Sequence, residues 1–385
     1  MMITEGAGEL NRVARVTPEV VTRVTTPTYQ ERIPIVLRAT ADEARGARMR
    51  IGGLRVIDRA LRQLSKLGDA TVFIVADGSI PLPRRLPANV EVRDVDGEVG
   101  AAVERLCAEL GSEARVVGAD NVWIQPARFD RAIRVVDAAS RRVAEDQIYL
   151  ELQRGTVGLV DRAINRRVSS VLTRVLISRL PLVPALVTLA AGFVGLYGAL
   201  MIATGATSSV LLGFLLLEGS IVLDGCAGEL ARVRLHQTAF GAWLDTMVGD
   251  FLNVVLILAV GVALWRHGGT YLDMKMALVS AALTLFYVVV SYRELIRQGQ
   301  GDVMKLRWWF AYGQTLRSLS GAGAGQMKAV MLLGRRDVVV LLGLALAYFE
   351  QLPIIALYMM IISLVRAAGA LGQLLTPDWR VRPPG

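Results

Sequence analysis

The chain has 385 residues, of which 53% are hydrophobic and only 20% are charged, with a formal net charge of +9 at pH 7. Soluble domains carry about 25% charged residues, so this composition favours a large membrane-embedded part and excludes disordered and collagen-like chains. Two cysteines and two histidines exclude a disulfide framework and a cysteine–histidine zinc cluster.

After an N-terminal tail (1–31), residues 32–155 are predicted to form a cytoplasmic α/β domain. Short apolar runs that predict strands alternate with segments of helical spacing, which is typical of a parallel sheet covered by helices on both faces. The predicted strands are 33–38, 70–76, 90–95 and 114–117, and the predicted helices are 52–67 and 99–110.

Two segments of this domain resemble the nucleotidyltransferase fold. The sequence GGLRVIDRALRQL is similar to the helix after the substrate loop of that family, and VVGADNVW puts Asp120 at its acid-bearing strand end. Where the family has a glycine-rich phosphate loop, this chain has ATADEARGAR, with Gly46 as its one glycine. We therefore expect a degenerate domain with a structural or regulatory role.

The segment 156–180 is predicted to be a juxtamembrane helix. Within 160–179, arginines alternate with valine, leucine and isoleucine at helical spacing. This pattern is typical of an interfacial helix whose basic face meets anionic lipid headgroups. A solvated linker helix is the alternative.

Residues 181–376 are predicted to cross the membrane six times, before a C-terminal tail (377–385). Each apolar run has about the length needed to cross roughly 30 Å of hydrocarbon, although the fifth is short. The runs are 181–203, 207–230, 242–265, 274–296, 337–352 and 353–375.

Basic residues are concentrated in alternate loops between these runs. The first connection is uncharged, whereas the fourth is long and basic. Because basic loops stay on the cytoplasmic side, both termini are predicted to be cytoplasmic, with the spans in the inner cell membrane. The positive charge is thus interpreted as a signal of topology, and no nucleic-acid partner is expected.

Four acids lie near the predicted cytoplasmic ends of the second and third runs: Asp224, Glu229, Asp245 and Asp250. Acids within a membrane are costly and are functional candidates by default. At about 100° per helical residue, Asp224 and Asp245 face one site between two consecutive helices. Two facing carboxylates repel each other unless a cation lies between them, which suggests Mg²⁺ or Mn²⁺.

The second run contains DGCAGELAR at 224–232, followed after eight residues by Gly241 and then by Asp245. This order and spacing resemble the motif of the CDP-alcohol phosphotransferases, also called CDP-alcohol phosphatidyltransferases. The segment GELAR and the fused N-terminal domain look most like the bifunctional enzymes that make di-myo-inositol phosphate precursors.

The resemblance implies a homodimeric enzyme that transfers a phospho-alcohol, such as phosphoinositol, from a CDP-alcohol to an acceptor hydroxyl, with release of CMP. The acceptor is another phospho-alcohol or a lipid. Asp224 and Asp245 would bind the divalent cation, and Asp245 and Asp250 are the candidate catalytic residues. The positions expected to contact the nucleotide or its phosphates are Asp224, Gly228, Ala231, Arg232 and Gly241.

Two acids of the motif are missing, because Ala227 and Gly249 stand in their places. Asp250 would replace the lost general base only if a helical bulge turned it towards the site. The sequence leaves two alternatives: a non-catalytic homologue that binds CDP-ligands, and a small-solute transporter with intramembrane ion sites. The clustering of the acids at the ends of two consecutive runs opposes the transporter.

Overall fold

A computed structural model describes most of the chain, which divides into two compact units. The first is Met1–Leu152 with Val233–Leu235, and the second is Gln153–Arg232 with His236–Gly385. The described residues are 21–23, 34–64, 71–80, 82–83, 86–87, 89–94, 98–111, 114–125, 128–154, 161–175, 180–299, 306–309 and 332–376.

The first unit is an α/β domain. In chain order it contains β1 Val21–Arg23, β2 Ile35–Ala39, α1 Ala41–Arg48, β3 Arg50–Ile51, β4 Leu54–Arg55, α2 Val56–Leu64, β5 Val72–Ala76, β6 Val90–Asp94, α3 Val99–Leu110, β7 Arg115–Gly118, β8 Asn121–Gln125, β9 Arg128–Arg134 and α4 Ala138–Arg154.

The main sheet has the strand order β6-β5-β2-β7, and all its pairs are parallel. Alternate residues of its strands point to opposite faces. Leu37 and Ile74 pack with Leu61 of α2 on one face. Val36 and Val75 pack with α3 on the other. The predicted parallel sheet with helices on both faces is confirmed, and β1, β9 and β8 form a second, antiparallel sheet.

The second unit is helical. It contains a π-helical turn Asp161–Asn165, α5 Arg166–Val175, α6 Pro184–Ala203, α7 Thr207–Val233, α8 Ala239–Arg266, α9 Tyr271–Arg297, α10 Arg336–Tyr348 and α11 Leu352–Leu375. Five of these helices (α6, α7, α8, α9 and α11) are long and apolar enough to cross a membrane. The chain is therefore mostly helical, with the character of an integral membrane protein.

The predicted run at 337–352 corresponds to α10, which has 13 residues. At about 1.5 Å per residue its length is about 20 Å, against roughly 30 Å of hydrocarbon. Residues 310–331, which precede it, lie outside the described part of the chain. Five candidate spans are thus found among the described residues, and the count of six stays a prediction.

Helices α6 and α7 approach closely at two glycines. A Cβ atom at Gly198 would lie 2.7 Å from the carbonyl oxygen of Gly213, and one at Gly213 would lie 2.5 Å from that of Gly198. Nearby, the Ser220 hydroxyl donates to the Ala191 carbonyl over 2.7 Å. Small residues thus allow the backbones to pack without lipid between them.

Helix α5 has apolar side chains that are exposed on the protein surface. Val168, Val171 and Val175 are exposed, whereas Ser169 and Ser170 are buried. Such an exposed apolar stripe supports the predicted interfacial helix, whose placement at the membrane surface stays a prediction.

Candidate functional site

A charged pair joins α7 to the start of α10. The Arg336 Nη2 atom donates to Oδ2 of Asp224 over 3.3 Å. The side chains of Arg336 and Asp224 are 15% and 22% exposed, respectively, so both are mostly buried within the protein. Asp224 was predicted to be a metal ligand, and in this structure its carboxylate contacts a guanidinium.

The same guanidinium reaches α8. A Cβ atom at Gly249 would lie 3.7 Å from Arg336 Nη1, with no other contact within 4 Å among the described residues outside α8 itself. The side chain of Arg336 therefore lies between the α7 and α8 parts of the motif. Its Nη1 atom is buried and has no hydrogen-bond partner among the described residues.

Asp250 follows the regular geometry of its helix. The α8 segment is α-helical from Ala239 to Arg266, so the bulge that would turn Asp250 towards the motif is absent. Its carboxylate is close enough to Tyr292 of α9, and to Arg336 and Arg366, to interact with them electrostatically. The ring of Trp243 packs edge-on against Tyr292, with 5.6 Å between the ring centroids. The role of Asp250 as a base stays a prediction.

Asp245 is exposed and lies one helical turn before Gly249. Residues four apart lie on one face of a helix, so Asp245 belongs to the face of α8 that carries Gly249. Its roles as metal ligand and catalytic acid stay predictions.

The position of Ala227 is apolar. Its side chain is 2% exposed and belongs to a cluster with Val187, Cys226 and Leu230. A carboxylate at position 227 would therefore replace a methyl group that packs among apolar side chains.

The remaining motif residues have local structural contacts. Arg232 Nε donates to the Gly228 carbonyl over 3.0 Å, and a Cβ atom at Gly228 would lie 3.7 Å from Arg232 Nη2. The Gly241 amide donates to the Thr238 hydroxyl over 3.0 Å, which caps the start of α8. Ala231 is half-buried. Binding roles for these residues stay predictions.

Glu229 lies on another face of α7 and forms hydrogen bonds with side chains of α5. Its Oε1 atom accepts from Arg166 Nη1 over 3.2 Å and from the Ser169 hydroxyl over 2.8 Å, and its side chain is fully buried. Ser170 also donates to it, over 3.3 Å. Glu229 thus links α5 to α7, and none of these bonds involves Arg336.

Sequence reasoning missed Arg336, Tyr292 and Glu218. It treated Arg336 only as a basic loop residue that indicates topology. Glu218, on α7, is close enough to Arg336 and Asp337 to interact electrostatically. A usable signal was present, because the charged sequence Arg335-Arg336-Asp337 stands directly before an apolar run.

The described residues fit a divalent cation poorly. No group of three or more His, Cys, Asp or Glu side chains among them is placed to hold a metal ion. Asp224 is paired with Arg336, and Ala227 and Gly249 supply no carboxylate. Mg²⁺ and Mn²⁺ prefer several hard oxygen ligands, and this set falls short of them.

In the first unit, Glu43 and Asp120 lie at a position where doubly wound parallel sheets bind ligands. Chain order reverses between β2 and β7, and ligands bind doubly wound sheets beside such a reversal. There, Arg38 donates to Glu43 over 2.7 Å and Arg134 donates to Asp120 over 2.8 Å. Both carboxylates are almost fully buried. Burial raises the pKa of Asp120, and the hydrogen bond from Arg134 partly offsets that rise.

Space at this reversal is restricted. A Cβ atom at Gly118 would lie 2.8 Å from Glu43 Oε1 and 2.8 Å from Asp120 Oδ1. The acids therefore pack against the backbone and their arginines, and the degenerate character of the domain stays a prediction.

The fold and these clusters define a class: an integral membrane protein with an α/β domain and charged residues buried between its apolar helices. No family model matches the chain. Three curated relatives share part of it, and each carries the name "bifunctional IPC transferase and DIPP synthase".

The relative from Aquifex aeolicus is 32% identical over 107 residues, which are 28% of this chain and 24% of the relative. The relative from Archaeoglobus fulgidus is 30% identical over 100 residues, 26% of this chain and 19% of the relative. That from Thermococcus kodakarensis is 30% identical over 113 residues, 28% of this chain and 25% of the relative. The matched part thus spans about a quarter or less of each relative, and supports similarity to DIPP-synthase-like proteins.

Proposed function

We propose that this chain is a membrane protein of the CDP-alcohol phosphotransferase type, which binds a CDP-alcohol between α7, α8 and α10. The observation that carries the proposal is that one side chain, Arg336, contacts Asp224 and lies beside Gly249. The two separated parts of the motif therefore border one charged site. The names of the three relatives support the same class of reaction.

In the proposed reaction, an acceptor oxygen bonds to the phosphorus that carries the alcohol. The bond from that phosphorus to the CMP oxygen breaks, and CMP leaves. The proton of the acceptor hydroxyl passes to a base, for which Asp245 and Asp250 are the candidates. The backbone of Gly228 and the guanidinium of Arg232 are proposed to contact the nucleotide.

Several finer features belong to the proposal. The donor carries phosphoinositol or a related phospho-alcohol, the protein is a homodimer in contact with membrane lipids, and both termini are cytoplasmic. Mg²⁺ or Mn²⁺ between Asp224 and Asp245 is what the motif implies. The proposed reaction steps do not depend on that ion, because the described side chains around Asp224 fit it poorly.

The test is CMP release by the purified full chain, incubated with a panel of CDP-alcohols and candidate acceptors in Mg²⁺, Mn²⁺ or EDTA. We expect CMP release with at least one donor–acceptor pair and a loss of about 10²-fold or more in Asp245→Asn, if that acid is the base. Arg266→Gln, at the far end of α8, is the control. No CMP release from any pair would contradict the transferase.

A second candidate is a non-catalytic protein that binds CDP-ligands. The absence of carboxylates at Ala227 and Gly249 favours it. The same preparation distinguishes the two candidates, because this protein would bind CDP without releasing CMP from any CDP-alcohol.

A further inference from the structure

Arg336 carries a hydrogen-bond donor that the protein leaves unused. Nη2 is paired with Asp224, while Nη1 is buried and lacks a partner among the described residues. A buried donor without an acceptor is costly, and the cost is larger for a charged group. An acceptor from outside the chain would remove that cost.

The α8 side of Nη1 is bordered by a residue that has no side chain. A Cβ atom at Gly249 would lie 3.7 Å from Nη1, and no further contact within 4 Å is found among the described residues outside α8 itself. Glycine at this position adds no side chain that would compete for Nη1 from α8. An arginine fork suits phosphate oxygens, which accept two parallel hydrogen bonds from it.

The replaced motif acids lower the negative charge that a cation has to balance near Arg336. Asp224 contacts Arg336 directly, and Asp250 and Glu218 interact with it electrostatically. Replacement of two motif acids by Ala227 and Gly249 removes two negative charges that a divalent ion would neutralise. The guanidinium of Arg336, with one positive charge and directed donors, balances the charge of Asp224.

We propose that Arg336 is the resident cation of this site and binds the phosphates of a nucleoside diphosphate ligand in place of a divalent metal ion. The choice of cytidine as the nucleoside rests on the proposed function. The role of Arg336 as a phosphate ligand rests on the geometry of α7, α8 and α10.

The experiment is isothermal titration of the purified full chain with CDP and with inorganic pyrophosphate, in EDTA and in Mg²⁺. We expect CDP to bind in EDTA with an affinity that Mg²⁺ changes less than threefold. Arg336→Gln should weaken binding about 10- to 100-fold, as expected for loss of a charge-assisted bond. Arg336→Lys should retain part of the affinity, because it keeps the charge without the fork.

Two further variants serve as a control and as a second test of the proposal. Arg266→Gln removes the same charge about 24 Å along α8 from Asp250, and should bind CDP like the unmodified chain. Asp224→Asn should strengthen CDP binding in EDTA, because it releases Nη2 from its carboxylate. If Arg336→Gln fails to fold, Arg336→Lys and Asp224→Asn still decide the result.

The outcomes separate the two proposals. Pyrophosphate binding in EDTA that depends on Arg336, without preference for CDP, would support the phosphate site and contradict the cytidine ligand. CDP binding that requires Mg²⁺, survives Arg336→Gln and is lost in Asp224→Asn would overturn the role of Arg336 and leave the proposed function standing. No binding of either probe under any condition would contradict both.

Discussion

The chain pairs acids with arginines in two regions, one in each unit, and the two regions differ in how closely a neighbouring glycine is packed. At the strand reversal of the first unit, Glu43 and Asp120 are crowded against Gly118. In the second unit, Arg336 is paired with Asp224 but keeps a buried Nη1, beside Gly249, that has no hydrogen-bond partner among the described residues. A tightly packed charge pair stabilises a fold, whereas one that leaves a buried donor without an acceptor is suited to bind a ligand.

The largest effect on stability is expected for the ion pair of Glu229 and Arg166, which has a structural role and no proposed role in binding. Arg166→Ala should lower the free energy of unfolding by about 3–5 kcal/mol, because it leaves a fully buried carboxylate without its cation. Arg167→Ala, at the exposed neighbouring position, should change it by less than about 0.5 kcal/mol. Thermal unfolding in detergent measures both, and equal effects would contradict the anchoring role of Glu229.

A matched pair of glycine substitutions tests the difference in space directly. Gly118→Ala should destabilise the first unit by about 1–3 kcal/mol, because its Cβ would collide with two carboxylates. Gly249→Ala should be neutral or stabilising by up to about 1 kcal/mol, since alanine favours a helix and its Cβ would lie at an ordinary contact distance, 3.7 Å, from Arg336 Nη1. Hydrogen exchange, followed by peptide in each region, measures both. A larger loss at position 249 would reverse the comparison.

Placing an acid beside Arg336 sharpens the same comparison. Gly249→Asp should satisfy Nη1 and weaken CDP binding in EDTA about tenfold, through competition for the guanidinium. If a metal ion were the true phosphate ligand, the added carboxylate would instead strengthen Mg²⁺-dependent binding and raise CMP release. Ala227→Asp is a poor partner for this test, because it buries a carboxylate among apolar side chains.

The smallest expected effect concerns pH. Burial raises the pKa of Asp120 above its ordinary value, so the folded state binds a proton more tightly than the unfolded state. The stabilisation from this group is therefore fully present below the ordinary pKa, near 3.9, and is lost as pH rises through the raised pKa. Hydrogen exchange of β2 peptides should show this decrease, and Asp120→Asn should flatten it. An unchanged slope in that variant would assign the effect to another group.

Local sequence predicted the strands of the first unit from short apolar runs and the membrane helices from long apolar runs. The charged pairs of the site could not be predicted in this way. Arg336 lies 112 positions from Asp224, and its partner depends on how α10 packs beside α7. The neighbour of Asp250 could not be predicted either, since Tyr292 lies on a different helix, α9.

The most direct measurement is a cryo-electron microscopy structure of the full chain with CDP bound in EDTA. We predict that the diphosphate lies beside Gly249, with an oxygen within hydrogen-bonding distance of Arg336 Nη1. A diphosphate that lies elsewhere, or one that appears only with Mg²⁺ between Asp224 and Asp245 and with Arg336 turned away, would contradict the account.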